Sequence, residues 1–264
     1  MKKPEKRLIV GNWKMNPQSA SEAKKIAKTA RQAAAGLSKS TVVICPPFVF
    51  LTGASSRSEA PNFHLGAQSL SFHESGAHTG EVSAGMLKDL GAEYAIIGHS
   101  ETRQAGDTDE NVSKRLRMAL DAGLKPILCV GEKVRDDSGS QFDFLREQIK
   151  GSLAGTSNND AKDLILAYEP VWAIGAKEPM KPEDIREMAI FVKKVFSDIF
   201  GGDSGLKVPV LYGGAVNFRN AADIIQVGQV DGLLVGRESV SISGFADLLK
   251  AVDEASSDHE KHSI

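Results

Sequence analysis

Eight short apolar runs recur along the chain: RLIVGN (7–12), TVVICPP (41–47), FHLGAQ (63–68), YAIIGH (94–99), KPILCVG (125–131), LILAYEP (164–170), VPVLYGG (208–214) and DGLLVG (231–236). They are apolar throughout rather than alternating, the pattern of strands covered on both faces. Between them the apolar spacing turns helical, at Ser19–Gly36 and near 83–90, 109–122, 142–153, 182–200, 218–227 and 243–254, with a short helix near 48–56. Ser19 and Glu22 form a capping-box signature, and Gly36 offers a stop. Eight strand-then-helix units in about 250 residues predict an α/β protein with a parallel, closed (β/α)8 barrel inside a ring of helices. An open doubly wound sheet is disfavoured, because no dinucleotide fingerprint follows the first strand. The segment AGTSNND (154–160) reads as a loop and not a boundary. The expectation is one domain over 1–264, with its core at about 7–254 and a polar C-terminal tail, 255–264, that frays.

Composition narrows the function without naming it. The 264 residues carry 32 Lys and Arg against 34 Asp and Glu, a formal net charge of −2. That balance gives no reason to expect nucleic acid or an anionic membrane as partner. KKVF and KRLRM read as solvated helix faces. The basic start, MKKPEKR, is followed by an apolar LIVG too short for a signal-peptide core, and no run approaches the ~20 residues of a membrane span. Cys45 and Cys129 sit at the ends of strand-like runs, as buried reduced thiols of a cytoplasmic protein would.

In a barrel of this kind, chemistry gathers where the strands end. Strand one ends in Asn12 and Lys14, strand four in His99 and Glu101, strand six in Glu169, and Gly175, Gly213, Gly214 and Gly236 follow strands six, seven and eight. Taken singly, Glu169 is as well read as a surface acid, His99 as a structural histidine and Lys14 as a solvated lysine. Together, at one end of one barrel, they make a base, an imidazole, a cation, an amide and glycine-lined loops. Tyr168, Pro170 and the apolar VWAI would shield Glu169 from water, which makes a carboxylate a readier proton acceptor. HSETR reads as the first turn of a short helix, whose positive end favours a neutral imidazole at His99. Glu101 is either a cap-region acid or a partner for Lys14; spacing does not choose. Loop glycines offer backbone N–H groups to a phosphate. His64, His73, His78, His259 and His262 have no metal-ligand spacing, and neither a GxxxxGK[ST] loop nor a GxSxG elbow occurs.

The motifs GNWKMN, GAHTGEVSAGMLKDLGAEYAIIGHSETR, LCVGEK, LAYEPVWAIG, LYGGAVN and VDGLLVG, in order from about Arg7 to about Glu254, resemble the triosephosphate isomerase family. The resemblance implies interconversion of dihydroxyacetone phosphate and glyceraldehyde 3-phosphate through an enediol(ate), with no cofactor and no metal. It makes Glu169 the base, His99 the electrophile, and Lys14 and Asn12 the holders of substrate and oxyanion. Glu101 then positions Lys14. Gly175, Ala215, Gly236 and Arg237 stand where backbone N–H groups bind the phosphate. Thr79 lies on the loop SFHESGAHTGE, which in the family enters a neighbouring subunit, so a homodimer is implied. Cys129 becomes structural.

Some positions depart from the family. Ala176-Lys177-Glu178, followed by Pro179, stands where the family has a Thr-Gly-Lys lid tip, and Ala215 replaces a serine that latches the lid, while Tyr212 is kept as a latch. Arg237 replaces a glycine; its N–H can still donate, and a side chain turned outward is favoured over a direct phosphate contact. Thr102 replaces an arginine, and the loop after Arg103 is one residue short. Lys181 replaces a Ser or Thr helix cap, a loss that costs about 0.5–2 kcal/mol. The main expectation is an active cytoplasmic isomerase of glycolysis and gluconeogenesis. The alternative is a triose-phosphate-binding barrel whose altered lid impairs turnover.

Overall fold

The computed structural model describes residues 6–54, 60–136, 138–173 and 179–261. Eight strands form a closed parallel barrel: β1 (Arg7–Asn12), β2 (Ser40–Cys45), β3 (Phe63–Ala67), β4 (Tyr94–Ile97), β5 (Lys125–Val130), β6 (Ile165–Tyr168), β7 (Val210–Tyr212) and β8 (Gly232–Val235). Each pairs with the next, and β8 returns to β1 with Leu8 beside Gly232 and Gly11 beside Val235. All eight apolar runs are strands, within two residues at each end.

The absence of alternation has a physical cause. One set of strand side chains, including Val10, Val43, Ile96, Ile127, Leu211 and Leu234, fills the barrel interior. The other set, including Ile9, Val42, Ile44, Ile97 and Leu166, packs outward against the helices. Both sets leave water, each large side chain gaining roughly 1.5–3 kcal/mol, so both faces must be apolar. Cys45 and Cys129 are free thiols in the inner set, and burial pushes both thiols up from their ordinary range.

The helices are α1 (Ala20–Ala35), α2 (Leu51–Ala54), α3 (Ala84–Asp89), α4 (Ser100–Gln104), α5 (Asp109–Asp121), α6 (Ser140–Ser152), α7 (Pro182–Phe200), α8 (Gly202–Gly205), α9 (Ala221–Gln226) and α10 (Ile242–Lys261). α7 buries Ile185, Met188, Ala189, Val192, Val195 and Phe196, one face at helical spacing. Its N-cap, Lys181, makes no side-chain cap bond, as the sequence predicts, and Pro182 at the first turn needs no N–H partner. At α1, Ser19 Oγ accepts from Glu22 N at 3.3 Å, one half of the capping box. Gly36 ends α1 in an ordinary right-handed conformation.

Three expectations shift. The pattern near 218–227 becomes a helix only from Ala221, because Asn217 and Asn220 tie the preceding turn: Asn217 N donates to Asn220 Oδ1 and Arg219 N to Asn217 Oδ1, both at 2.8 Å. The segment near 48–56 opens as a 3-10 turn at Phe48–Phe50 and continues as α2, with 55–59 outside the described residues. The helix expected near 243–254 is longer, α10 running from Ile242 to Lys261.

Candidate active site

The polar strand ends converge on a cavity of about 530 Å3, lined among others by Asn12, Lys14, His99, Glu169, Gly236 and Arg237. Barrel geometry explains the meeting: parallel strands place all their C-terminal ends on one rim. Asn12 closes β1, Glu169 follows β6, and His99 stands two residues beyond β4.

Glu169 is buried at 2% relative exposure and His99 at 6%. His99 caps α4, and its Nδ1 accepts a hydrogen bond from Glu101 N at 3.2 Å. A backbone N–H facing Nδ1 requires a bare lone pair there, so the ring proton sits on Nε2. That nitrogen lies 3.0 Å from Glu169 Oε1. The second carboxylate oxygen, Oε2, accepts from Ser100 N at 3.0 Å. Base and imidazole therefore share one donor network anchored in α4.

Lys14 is held from three sides. Its φ of 53° is left-handed, unusual for a lysine, and its neighbours fix it there. Its N–H donates to Asn12 Oδ1 at 3.0 Å, and its carbonyl accepts from Gln68 Nε2 at 2.8 Å. Its ammonium meets Glu101 Oε1 at 2.6 Å, so Glu101 stands both in the first turn of α4 and against Lys14. A half-exposed pair like this adds little stability; what it fixes is where the cation stands. The Nδ2 group of Asn12 has no partner among the described residues and belongs to the cavity wall.

On the opposite wall, Ala215 and Gly236 line the cavity with Arg237. Their backbone N–H groups donate to no intrachain partner among the described residues. Gly175, the remaining predicted phosphate contact, lies outside the described residues, as do Ala176, Lys177 and Glu178 of the altered lid tip.

Below the start of that loop is a polar cluster. Buried Glu132, just past β5, accepts at Oε1 from Tyr168 Oη (2.8 Å) and Trp172 Nε1 (2.7 Å). Tyr212 Oη, the predicted latch, is buried with no partner among the described residues. Burial, with the nearby Glu132 charge, pushes the Tyr168 and Tyr212 hydroxyls up, so both stay protonated donors. Burial also holds the Glu132 carboxyl above its ordinary value of 4.5, against the lowering effect of hydrogen bonds from Trp172 and Tyr168 and the charge of Arg135. A carboxyl raised in this way contributes stability that is full below its unfolded value near 4.5 and is lost as pH rises through its folded value. Glu132→Gln keeps an acceptor for both donors and cannot ionise. The variant is therefore expected to gain stability over the wild type as pH rises from about 4 to about 8. Denaturant midpoints at the two pH values check this; a constant difference would refute it.

Gln68, Ser100 and Glu132 are site residues that the sequence reading did not single out. Glu132 follows a strand end, the same signal that exposed Glu169. Ser100 acts through its backbone, which no side-chain pattern reveals. Thr102, in place of an arginine, bonds back to His99 O at 2.8 Å. After it, Arg103 ties the shortened loop to Gly98 O (2.7 Å) and Asp109 Oδ1 (2.5 Å). Thr79 stands away from this cavity, exposed on the loop that Ser71 N closes by bonding Val82 O at 2.8 Å. Among the described residues no group of three or more His, Cys, Asp or Glu could hold a metal ion, and no helix is long and apolar enough to cross a membrane.

Comparison with known proteins bears directly on this geometry. Residues 7–252 match the family model for triosephosphate isomerase. A triosephosphate isomerase of Endomicrobium trichonymphae is 38% identical over 252 residues, 95% of this chain and 99% of that protein. One from Gluconacetobacter diazotrophicus is 41% identical over 248 residues, covering 93% and 98%. The crystal structure of triosephosphate isomerase from Bartonella henselae superposes with a TM-score of 0.81 at 32% identity, covering 93% of this chain and 98% of that one.

Proposed function

The chain belongs to the triosephosphate isomerase family, and on that premise we propose that Glu169 and His99 carry out its aldose–ketose isomerisation. The reaction interconverts dihydroxyacetone phosphate and glyceraldehyde 3-phosphate. One observation carries the assignment: a buried carboxylate 3.0 Å from the protonated nitrogen of a buried imidazole whose other nitrogen is held by a backbone N–H. Glu169 takes a proton from the carbon beside the carbonyl. The Nε2–H of His99 donates to the carbonyl oxygen, which gains negative charge as the enediolate forms. Lys14 and the free amide N–H of Asn12 stabilise that charge. The His99 imidazole gives its Nε2 proton to that oxygen and takes the proton of the neighbouring hydroxyl, and Glu169 returns its proton to the neighbouring carbon. Both proton transfers together complete the isomerisation, so atoms and electrons balance without a cofactor. General acid–base help of this kind is worth about 10²–10⁴-fold; the remainder comes from oriented donors and from binding energy at the phosphate.

The N–H groups of Ala215, Gly236 and Arg237, with Gly175, hold the phosphate in this reading. Tyr212 latches the loop that begins at Trp172, and closure keeps water from the enediolate. A coupled assay with glyceraldehyde 3-phosphate tests the proposal directly: turnover no faster than the uncatalysed reaction would remove it.

The active unit is proposed to be a homodimer of one-domain subunits in the cytoplasm. Exposed apolar side chains support this: Met15 is 85% exposed, Val49 78% and Met86 58%. Thr79 lies on the projecting loop that would enter the partner and support its Lys14 and Asn12. Free, buried Cys45 and Cys129 suit a reducing compartment. Val49→Glu is expected to shift the sedimenting species from twice 28.2 kDa towards the monomer, with a parallel fall in kcat. A wild type that sediments as a monomer at full activity would overturn the dimer.

A further inference from the structure

We propose that the guanidinium of Arg237 is a substrate-binding group in its own right, a second cation that this chain adds for the phosphate dianion. The inference rests on the isomerase reading above, reverses the outward Arg237 that the sequence favours, and concerns how the anion is captured.

The charges around the cavity carry the argument. Lys14 and Arg237 are its cationic wall residues, and Glu169 and Glu238 its acidic ones. Lys14 is already neutralised by Glu101 at 2.6 Å. Glu169 is engaged by His99 and Ser100. Glu238 is turned the other way: a Cβ placed on Gly244, in the first turn of α10, would run into its carboxylate. Arg237 is exposed and has no carboxylate within 4.0 Å among the described residues. Among the described residues it is thus the cavity-wall charge that no group balances, next to the N–H groups of Gly236 and Arg237 itself, which have no acceptor among them. An anion held at those N–H groups lies within reach of a side chain that starts from the same residue. Guanidinium also matches phosphate oxygens two at a time, a geometry that lysine lacks. Ala215, on the same wall, contributes no hydroxyl to the anion, which leaves Arg237 and Lys14 as the charged side-chain donors of the cavity.

An unbalanced cation at the mouth of a cavity raises the capture rate of anions, and the gain falls as salt rises. The test compares wild type, Arg237→Gln and Arg237→Lys at low and high ionic strength. Three quantities are read: kcat, KM for glyceraldehyde 3-phosphate, and the inhibition constant of inorganic phosphate. Arg237→Gln is expected to raise KM and the phosphate constant by about tenfold at low salt, chiefly without loss of kcat, and by much less at about 0.5 M salt. Arg237→Lys should recover part of the loss. An unchanged KM and phosphate constant at low salt overturns the proposal, as does a fall in kcat with KM constant, which marks a structural role. Failure of the isomerase reading looks different: the wild type itself would not turn over, while its phosphate affinity could still be compared with that of the variants by calorimetry.

Discussion

Glu169→Gln lowers kcat by about 10²–10⁴-fold, the range a positioned general base contributes. The substitution keeps the side chain's size at a site with 2% exposure, so the barrel should fold as before. One amide oxygen still accepts from Ser100 N, now 3.0 Å from the carboxylate. The proton acceptor is what disappears, and the amide N–H2 now meets the Nε2–H of His99, donor against donor. Loss of turnover should therefore come with a modest stability loss of about 1–3 kcal/mol, the cost of buried donors left unpaired, and with loss of solvent-proton exchange into dihydroxyacetone phosphate. Glu169→Asp retracts the carboxylate by roughly 1 Å and is expected to cost about 10²-fold. Turnover of the glutamine variant within tenfold of wild type would end the assignment of Glu169 as base.

Gly131→Ala is expected to damage stability and activity together. Gly131 follows β5, where Glu169 N donates to Val130 O at 2.8 Å, so the two strand ends are drawn close. A Cβ on Gly131 would overlap the Glu169 carbonyl oxygen and lie 2.7 Å from its carbonyl carbon and 3.2 Å from its Cα. Those are backbone atoms of the residue that carries the base, and they cannot swing aside as a side chain tip can. Overpacking of this kind costs about 1–3 kcal/mol. A shift of the base by roughly 1 Å costs a further 10²-fold in turnover. Gly213→Ala is the informative contrast, since its Cβ would crowd a side-chain atom, the Cγ of Glu169 at 2.9 Å, and meet the backbone only in ordinary contact, at Tyr168 O, 3.4 Å away. A flexible side chain can give way there, so Gly213→Ala should lose activity with a smaller drop in melting temperature. Wild-type stability and turnover in Gly131→Ala would show that the strand ends are not coupled in this way.

The architecture was legible because a parallel barrel wraps each strand in apolar surroundings, and eight unalternating runs admit few other folds. Helix starts were less legible. Asn217 and Asn220 read as ordinary helix neighbours, yet their side chains capture backbone groups and delay α9 to Ala221. In the site, Glu169, His99 and Lys14 were visible because each is a polar group directly after an apolar run. Gln68 was not, although it follows β3 in the same manner, because its work is to bond the main chain of Lys14 and Cys45 at 2.8 and 2.9 Å. Glu101 was visible as a residue and ambiguous in role. Its 2.6 Å approach to an ammonium 87 residues earlier is a contact across the fold that spacing along the chain does not show.

The closure of β8 onto β1 sets an order in time. Asn12 and Lys14 leave the ribosome early, and the neighbour of their strand, Gly232–Val235, is made near the end of synthesis. A nascent chain that has reached β7 already owns the acid, the imidazole and the ammonium, but the edge of β1 that faces β8 has no strand to pair with. Gly236 and Arg237 are also still missing. Turnover in a timed translation reaction should therefore appear abruptly with the last tenth or so of the chain instead of growing with its length. The first strand waits, through nearly the whole of synthesis, for the last.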